Sequence, residues 1–209
     1  MKHKPVKGFS VIELIVAMSI FIMLTSVLLA NYNSINKRLS LDTLVHQMAQ
    51  WVRETQVSAM SVRSHSGSFK QGYGLHFEQA SPTKFIYFAD FPNPTIGNKR
   101  YDFVATPACG DATVECAQEV YFQQGNKLSK ICGYVTPPAV PANQGDCPAN
   151  FNQLENVDIV FTRPNPDSEI TGDVFGSPSS YGNVIVYVKS VTGYERSASI
   201  WTTGQVTVQ

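Results

Sequence analysis

Glycine and proline are absent from a long N-terminal stretch of this chain, since neither occurs between Phe9 and Ser66. Both residues commonly end helices, so their absence leaves no local signal that would interrupt a helix there. Charge is scarce as well, because Glu13 is the only charged side chain between Phe9 and Asn36. The sequence therefore predicts one continuous helix from about residue 9 to residue 62, roughly 80 Å long.

Signatures of catalysis and of nucleic-acid binding are also missing. No Ser/His/Asp or Cys/His pattern with recognisable flanking residues occurs, and no glycine-rich phosphate loop is found. From Arg63 onward, ten Lys/Arg stand against thirteen Asp/Glu, with no block of basic residues. A folded head can still gather scattered cations into a patch, but composition alone argues against nucleic acid as a partner. We expect no catalytic residues, no enzyme activity and no cofactor.

The apolar run from Val11 to Ala30 is long enough to cross a membrane, because 20 residues span about 30 Å as a helix. Three lysines precede it, which favours a cytoplasmic N-terminus, and Lys37 and Arg38 weaken that bias without reversing it. This segment differs from a typical secretory signal peptide, which has a shorter apolar stretch and a small-residue cleavage site after it. A plain signal anchor leaves Glu13 unexplained, since a carboxylate inside an apolar span costs about 2.5–3.5 kcal/mol and needs a partner.

The segment Gly8-Phe9-Ser10-Val11-Ile12-Glu13-Leu14 resembles the processing site of type IV prepilins and of type II secretion pseudopilins. The resemblance implies that a prepilin peptidase removes leader residues 1–8 by cutting between Gly8 and Phe9, and that the new amine of Phe9 is methylated. It also implies a role for Glu13 in assembly. The Glu13 carboxylate would pair with the Phe9 amine of its own or a neighbouring subunit, because opposite charges attract strongly in a medium of low dielectric constant.

The same resemblance implies a place in the cell and a set of partners. The chain would be a single-pass protein of the bacterial inner membrane, with its head in the periplasm or outside the cell, and would join a filament. Its partners would be the prepilin peptidase, other pilin or pseudopilin subunits, the inner-membrane assembly platform and the lipid bilayer. A secretion pseudopilus, a type IV pilus and a DNA-uptake apparatus all stay open, as does a membrane-tethered extracytoplasmic enzyme that only mimics the processing site.

The resemblance implies a leader at 1–8 and a transmembrane or filament-core helix at 9–36, and the sequence patterns predict an amphipathic helix at 37–63 and a β-rich head at 64–209. The amphipathic helix is predicted from apolar or small residues at steps of three and four, namely Leu41, Leu44, Val45, Met48, Val52, Thr55, Ala59 and Val62. Arg53 and Glu54 fall off this stripe and should be solvated. The Ser/Gly-rich stretch Ser64–Ser68 is the predicted break into the head.

Beyond that break the apolar period changes from 3.6 to 2, which predicts strands. The predicted strands are Gly72–Phe77, Lys84–Ala89, Glu119–Phe122, Val157–Thr162, Asn183–Lys189, Arg196–Trp201 and Gln205–Val208. The fold class is therefore α+β, with a long N-terminal helix packed on a mainly antiparallel sheet as in pilins. The order of helix, Gly72–Phe77, Phe85–Asp90 and closing strand pair resembles the H-type minor pseudopilins and their FimT-like pilus relatives, as does the helix end Val52–Ala59.

Four cysteines occur, Cys109, Cys116, Cys132 and Cys147. None forms a C-x-x-C pair and no histidine lies near them in sequence, so we expect disulfides and no metal site. Three pairings are possible, and sequence proximity favours Cys109–Cys116 with Cys132–Cys147. By the chain-entropy model each bond would contribute roughly 2–3 kcal/mol.

The remaining candidates are weaker. His3 would be lost with the leader, His46 and His65 are expected to be exposed, and His76 is expected to face outward from its strand. The acidic stretch Asn165–Glu169, with Asp173, offers oxygen ligands of the type that calcium prefers. Its spacing matches no calcium motif, and a solvated turn is the favoured interpretation.

Overall fold

The computed structural model describes residues 8–61, 72–90, 97–103, 108–111, 113–134 and 144–209. In that part of the chain one α-helix, α1 (Val11–Met60), precedes all of the strands. It runs for 50 residues without a break, which is about 75 Å at 1.5 Å per residue. This confirms the continuous helix that the missing glycine and proline predict. The predicted break at Ser64–Ser68, with His65, lies outside the described residues.

The strands form two antiparallel sheets. The six-stranded sheet has the order β3-β2-β1-β6-β7-β8 and consists of β1 (Gly72–Glu78), β2 (Lys84–Asp90), β3 (Cys116–Tyr121), β6 (Asn156–Thr162), β7 (Asn165–Val174) and β8 (Ser177–Tyr181). The five-stranded sheet has the order β11-β10-β9-β4-β5 and consists of β4 (Lys127–Tyr134), β5 (Phe151–Leu154), β9 (Asn183–Lys189), β10 (Glu195–Trp201) and β11 (Val206–Val208). The α+β class is therefore confirmed.

The main core lies between the C-terminal half of α1 and both sheets. Leu41, Val45, Met48 and Val52 of the helix are buried in one cluster with apolar side chains of the two sheets. The rest of the predicted stripe is buried as well at Leu44, Thr55 and Ala59, while Val62 lies outside the described residues. Arg53 and Glu54 are exposed, as the pattern predicts. The C-terminal half of the helix is thus an integral layer of the head, which fixes α1 relative to the sheets.

The sequence predicts some strands and misses others. All seven predicted strands exist, with ends shifted by a few residues, and β9 pairs with β10 as the predicted closing hairpin. Four strands, β4, β5, β7 and β8, are missing from the prediction. The interpretation of Asn165–Glu169 as a solvated turn is wrong, because these residues begin β7 and pair with the end of β6.

Candidate functional site

The helix begins directly after the predicted processing junction. Ser10 occupies the N-cap position in an extended conformation, and the Glu13 carboxylate accepts a hydrogen bond from the Ser10 N–H at 3.1 Å. A glutamate three residues into a helix commonly serves as such a partner for the exposed N–H groups of the first turn. Phe9 is 90% exposed, and a methyl group added to Gly8 would meet nothing within 4 Å. Nothing in the described fold therefore requires glycine at position 8.

The first part of α1 has no covering within the described chain. Val11–Leu29 is long and apolar enough to cross a membrane, and none of it is buried. By contrast, the helix becomes part of the core from Leu41 onward. An uncovered apolar helix of this length is stable next to lipid or next to other apolar helices, because water is a poor solvent for it.

The base of the head is attached to α1 by polar contacts just beyond this apolar part. The Arg38 guanidinium lies 3.9 Å from the centre of the Tyr194 ring and hydrogen-bonds to the Tyr194 hydroxyl. Arg196 Nε donates to the Asp42 carboxylate at 2.6 Å. Asn126 Nδ2 donates to Ser40 Oγ at 3.0 Å. The β9–β10 turn and the β3–β4 turn therefore both lie beside the helix segment 36–43.

Two disulfides brace the loops of the head. The structure joins Cys109 to Cys116 and Cys132 to Cys147, with Cα–Cα separations of 4.8 and 5.7 Å. This is the pairing that sequence proximity favours. The bonds close short loops of the head and do not connect the head to α1, so the junction between helix and sheets depends on packing and on the polar contacts at the base.

A segment that we call the clamp, residues 97–103, lies across the outer face of the six-stranded sheet. The Lys99 N–H donates to Asp90 at 3.0 Å, and the Asp102 N–H donates to Glu115 at 2.7 Å. Asp90 and Glu115 are both buried. A Cβ at Gly97 would approach the Asp90 carboxyl group to 2.4 Å, so the absent side chain lets the clamp lie this close to the sheet.

Under the clamp the structure brings together polar and charged side chains that are far apart in sequence. His76 Nδ1 lies 2.7 Å from Asp158 Oδ1, and Arg100 Nε lies 3.7 Å from Asp158 Oδ2. Arg100 also donates to Asp173 at 2.5 Å, and Lys99 pairs with Glu169. The sequence gives no signal for this cluster, because His76 and Asp158 meet only through the register of β1 against β6.

His76 lies on the outer face of its strand but is covered there. The side chain points away from the main core, as the alternation of β1 predicts, yet it is buried because Tyr101 of the clamp covers it at a ring distance of 4.9 Å. His46, by contrast, is exposed as expected. A pocket of about 390 Å³ beside the clamp is lined by His76, Ser81, Arg100, Tyr101 and Asp158, among others. His76 and Asp158 supply the histidine and the acid of a nucleophile–histidine–acid arrangement.

Two of the acids weighed as calcium ligands form ion pairs with the clamp. Glu169 pairs with Lys99 and Asp173 pairs with Arg100, so their carboxylates already face cations. No group of three or more His, Cys, Asp or Glu side chains arranged for a metal ion occurs among the described residues.

Burial changes the proton affinity of the two acids that hold the clamp. Burial raises the pKa of Glu115 to about 8, with Asp102, Asp90 and Asp158 adding like-charge repulsion. Burial likewise raises the pKa of Asp90 to about 6, while the hydrogen bonds from the clamp backbone lower it. Both acids therefore bind protons more tightly in the folded head than in the unfolded chain.

This gives a defined pH dependence. A raised pKa adds stability that is fully present below the unfolded-state value and is lost as the pH rises through the folded-state value. The free energy of unfolding of the head should therefore fall from about pH 4 to about pH 8 through these two groups. Glu115→Gln should flatten that slope, since the amide oxygen still accepts the Asp102 N–H but does not ionise. Urea unfolding followed by tryptophan fluorescence across this range measures the slope. An unchanged slope in Glu115→Gln, or an equal flattening in the exposed control Asp167→Asn, would contradict the assignment.

Comparisons of the chain with protein-family models, with curated proteins and with solved structures found no match.

Proposed function

We propose that this chain is a minor pilin-like subunit that enters the inner membrane through α1 and assembles into a filament through the same helix. In this proposal a prepilin peptidase cuts between Gly8 and Phe9, and the amine of Phe9 is then methylated. The head lies on the periplasmic or extracellular side and acts in protein secretion or pilus biogenesis. Its partners are the peptidase, other pilin or pseudopilin subunits, the inner-membrane assembly platform and the bilayer.

The observation that supports this best is the combination found at the start of α1. An uncovered apolar helix begins two residues after an exposed Phe9, and its first turn contains the only acid of the apolar segment, Glu13. A membrane tether needs the apolar helix, but it needs neither Gly8 nor Glu13. Since nothing within 4 Å would meet a methyl group on Gly8, a requirement for glycine at this position comes from an external partner such as a peptidase.

The mass of the purified N-terminus tests the proposal. In a host with a prepilin peptidase, we expect the mature chain to start at Phe9 with one added methyl group. The variant Gly8→Val should keep residues 1–8, because the larger side chain would not fit a site selective for glycine. The unaltered chain in a host without the peptidase is the control and should also keep its leader. An intact Met1 in the first host, or a cut anywhere other than before Phe9, would overturn the proposal.

The second candidate class is a membrane-tethered extracytoplasmic enzyme, and the pocket beside the His76–Asp158 pair is the observation that favours it. The N-terminal mass separates the two classes, because a tethered enzyme has no need for a cut before Phe9. Membership of a DNA-uptake apparatus is a variant of the first class, which salt-dependent binding of duplex DNA to the purified chain would support.

A further inference from the structure

The membrane-proximal end of the head is basic although the head as a whole is not. Three segments meet there, namely α1 residues 36–43, the β3–β4 turn 122–127 and the β9–β10 turn 189–196, and they contain five Lys/Arg against two acids, Asp42 and Glu195. We call these five cations the basal rim; they are Lys37, Arg38, Lys127, Lys189 and Arg196. The fold thus gathers into one patch cations that are scattered along the sequence.

Two members of the basal rim are neighbours on adjacent strands. Lys127 and Lys189 lie directly opposite each other on the neighbouring strands β4 and β9, so their side chains project from the same face of the sheet. Like charges in such positions repel each other. Lys189 also lies opposite Glu195 on β10, and the Glu195 carboxylate lies 3.8 Å from Lys130 Nζ. Both lysines are exposed, and neither forms an ion pair within the residues that the structure describes. Their charges are therefore free for an external anionic surface.

The distance along α1 places this patch near a bilayer surface. The apolar span ends at Leu29, and Asn36 follows seven residues later, about 10 Å farther along the helix. Gln123 and Gln124 of the β3–β4 turn line a pocket together with Asn36, so the base of the head reaches down to this level. The headgroup layer is about 5–7 Å thick on each side of the hydrocarbon core. The remaining gap of about 3–5 Å is shorter than a Debye length of about 8 Å in physiological salt.

The chemistry of the adjacent side chains is consistent with contact at such a surface. Val191 at the tip of the β9–β10 turn is 69% exposed, and Tyr32, three residues beyond the apolar span, is 61% exposed. Aromatic rings near the ends of a span commonly lie among the lipid headgroups. Helices in membranes tilt by about 20° on average, which lowers one side of a head mounted on a helix.

From this geometry we infer that the basal rim docks the head on anionic phospholipid headgroups, with Lys127 and Lys189 providing the free charges. The inference rests on the proposed membrane insertion of α1. Arg38 and Arg196 join α1 to the head through Tyr194 and Asp42, so the helix and the docking face move as one unit. Docking would hold the head upright on the bilayer before the subunit leaves it.

Hydrogen exchange of the full chain in nanodiscs tests this inference. One set of nanodiscs contains phosphatidylcholine alone and the other an equal mixture of phosphatidylcholine and phosphatidylglycerol. Residues 11–29 should be protected in both, whereas the turns 122–127 and 189–196 should exchange more slowly only in the anionic nanodiscs, about fivefold for each lysine that faces the surface. Raising the ionic strength to about 0.5 M should remove the difference, since the Debye length then shrinks to about 4 Å.

The variant Lys127→Gln/Lys189→Gln should lose the lipid-dependent protection while keeping its fold, because both side chains are exposed. The control Arg53→Gln removes an exposed cation of α1 away from the basal rim and should keep the protection. Free exchange of residues 11–29 would overturn membrane insertion and the docking with it. A protected helix with turns that ignore lipid charge, or turns that are protected by duplex DNA but not by anionic lipid, would overturn the docking alone.

Discussion

A chain with Glu13 replaced by glutamine should be cut before Phe9 and inserted into the membrane, yet should be at least tenfold depleted from filaments. The proposed partner of Glu13 is the amine that cleavage creates on Phe9. At a separation of 4 Å and an effective dielectric constant of 20, two unit charges attract by about 4 kcal/mol, and each 1.4 kcal/mol is a factor of ten in an equilibrium. Glutamine removes this attraction but still offers an oxygen to the Ser10 N–H, which Glu13 accepts at 3.1 Å.

The comparison with Glu13→Leu separates the two roles of this side chain. Leucine removes both the charge and the cap, so it should match glutamine in filament content if the charge is what matters. Sheared filaments and membranes, separated and probed for the chain, give the distribution of each variant. Glu54→Gln changes an exposed acid farther along the same helix and is the control. Filament levels of Glu13→Gln equal to those of the control would show that charge pairing does not drive assembly.

Replacing Asp158 by alanine should destabilise the head by about 3 kcal/mol, the lower part of the range for breaking a buried ion pair. The side chain of Asp158 is only 2% exposed and faces both His76 and Arg100. The lower value is appropriate because Arg100 keeps Asp173 as a partner and is 30% exposed. Asp158→Asn should lose less, since an amide oxygen can still accept a hydrogen bond from the His76 ring.

Urea unfolding at a fixed pH, with the midpoint and slope compared between variants, measures this loss. The exposed acid Asp167 on the same sheet is the matched control, and Asp167→Ala should leave the midpoint unchanged. A loss below about 1 kcal/mol in Asp158→Ala would mean that the cluster under the clamp contributes no more than an ordinary surface pair.

The parts of this fold that sequence predicts are those set by local pattern. The helix α1 follows from the absence of breakers and the apolar stripe, and β1, β2, β9 and β10 follow from alternation. β7 and β8 do not, because segments such as Asn165–Glu169 and Ser177–Ser180 have the composition of turns and become strands only by pairing with neighbours. Glu169 in the middle of β7 and Asp173 near its C-terminal end form ion pairs with the clamp. No local sequence pattern predicts these ion pairs.

The candidate sites divide in the same way. The junction Gly8–Phe9 and Glu13 are contiguous, so spacing along the chain is sufficient to single them out. The His76–Asp158 contact spans 82 positions and depends on the register of two strands, which sequence alone leaves open. The basal rim cannot be predicted from the sequence for a different reason. Its five cations come from three separate segments, and the charge of the whole head has the opposite sign.

The sharing of one core between α1 and the last strands has a consequence for the timing of folding. Leu41 and Met48 belong to the same buried cluster as Ala198 and Ile200 of β10, and Val206 and Val208 of β11 pack against it. The ribosome therefore makes the α1 side of the core more than 140 residues before the side formed by β10 and β11. Contacts so distant in sequence form slowly, and incomplete cores expose apolar surface that aggregates. The core of the head can close only after β10 and β11 have left the ribosome, and until then the apolar face of α1 lacks these partners.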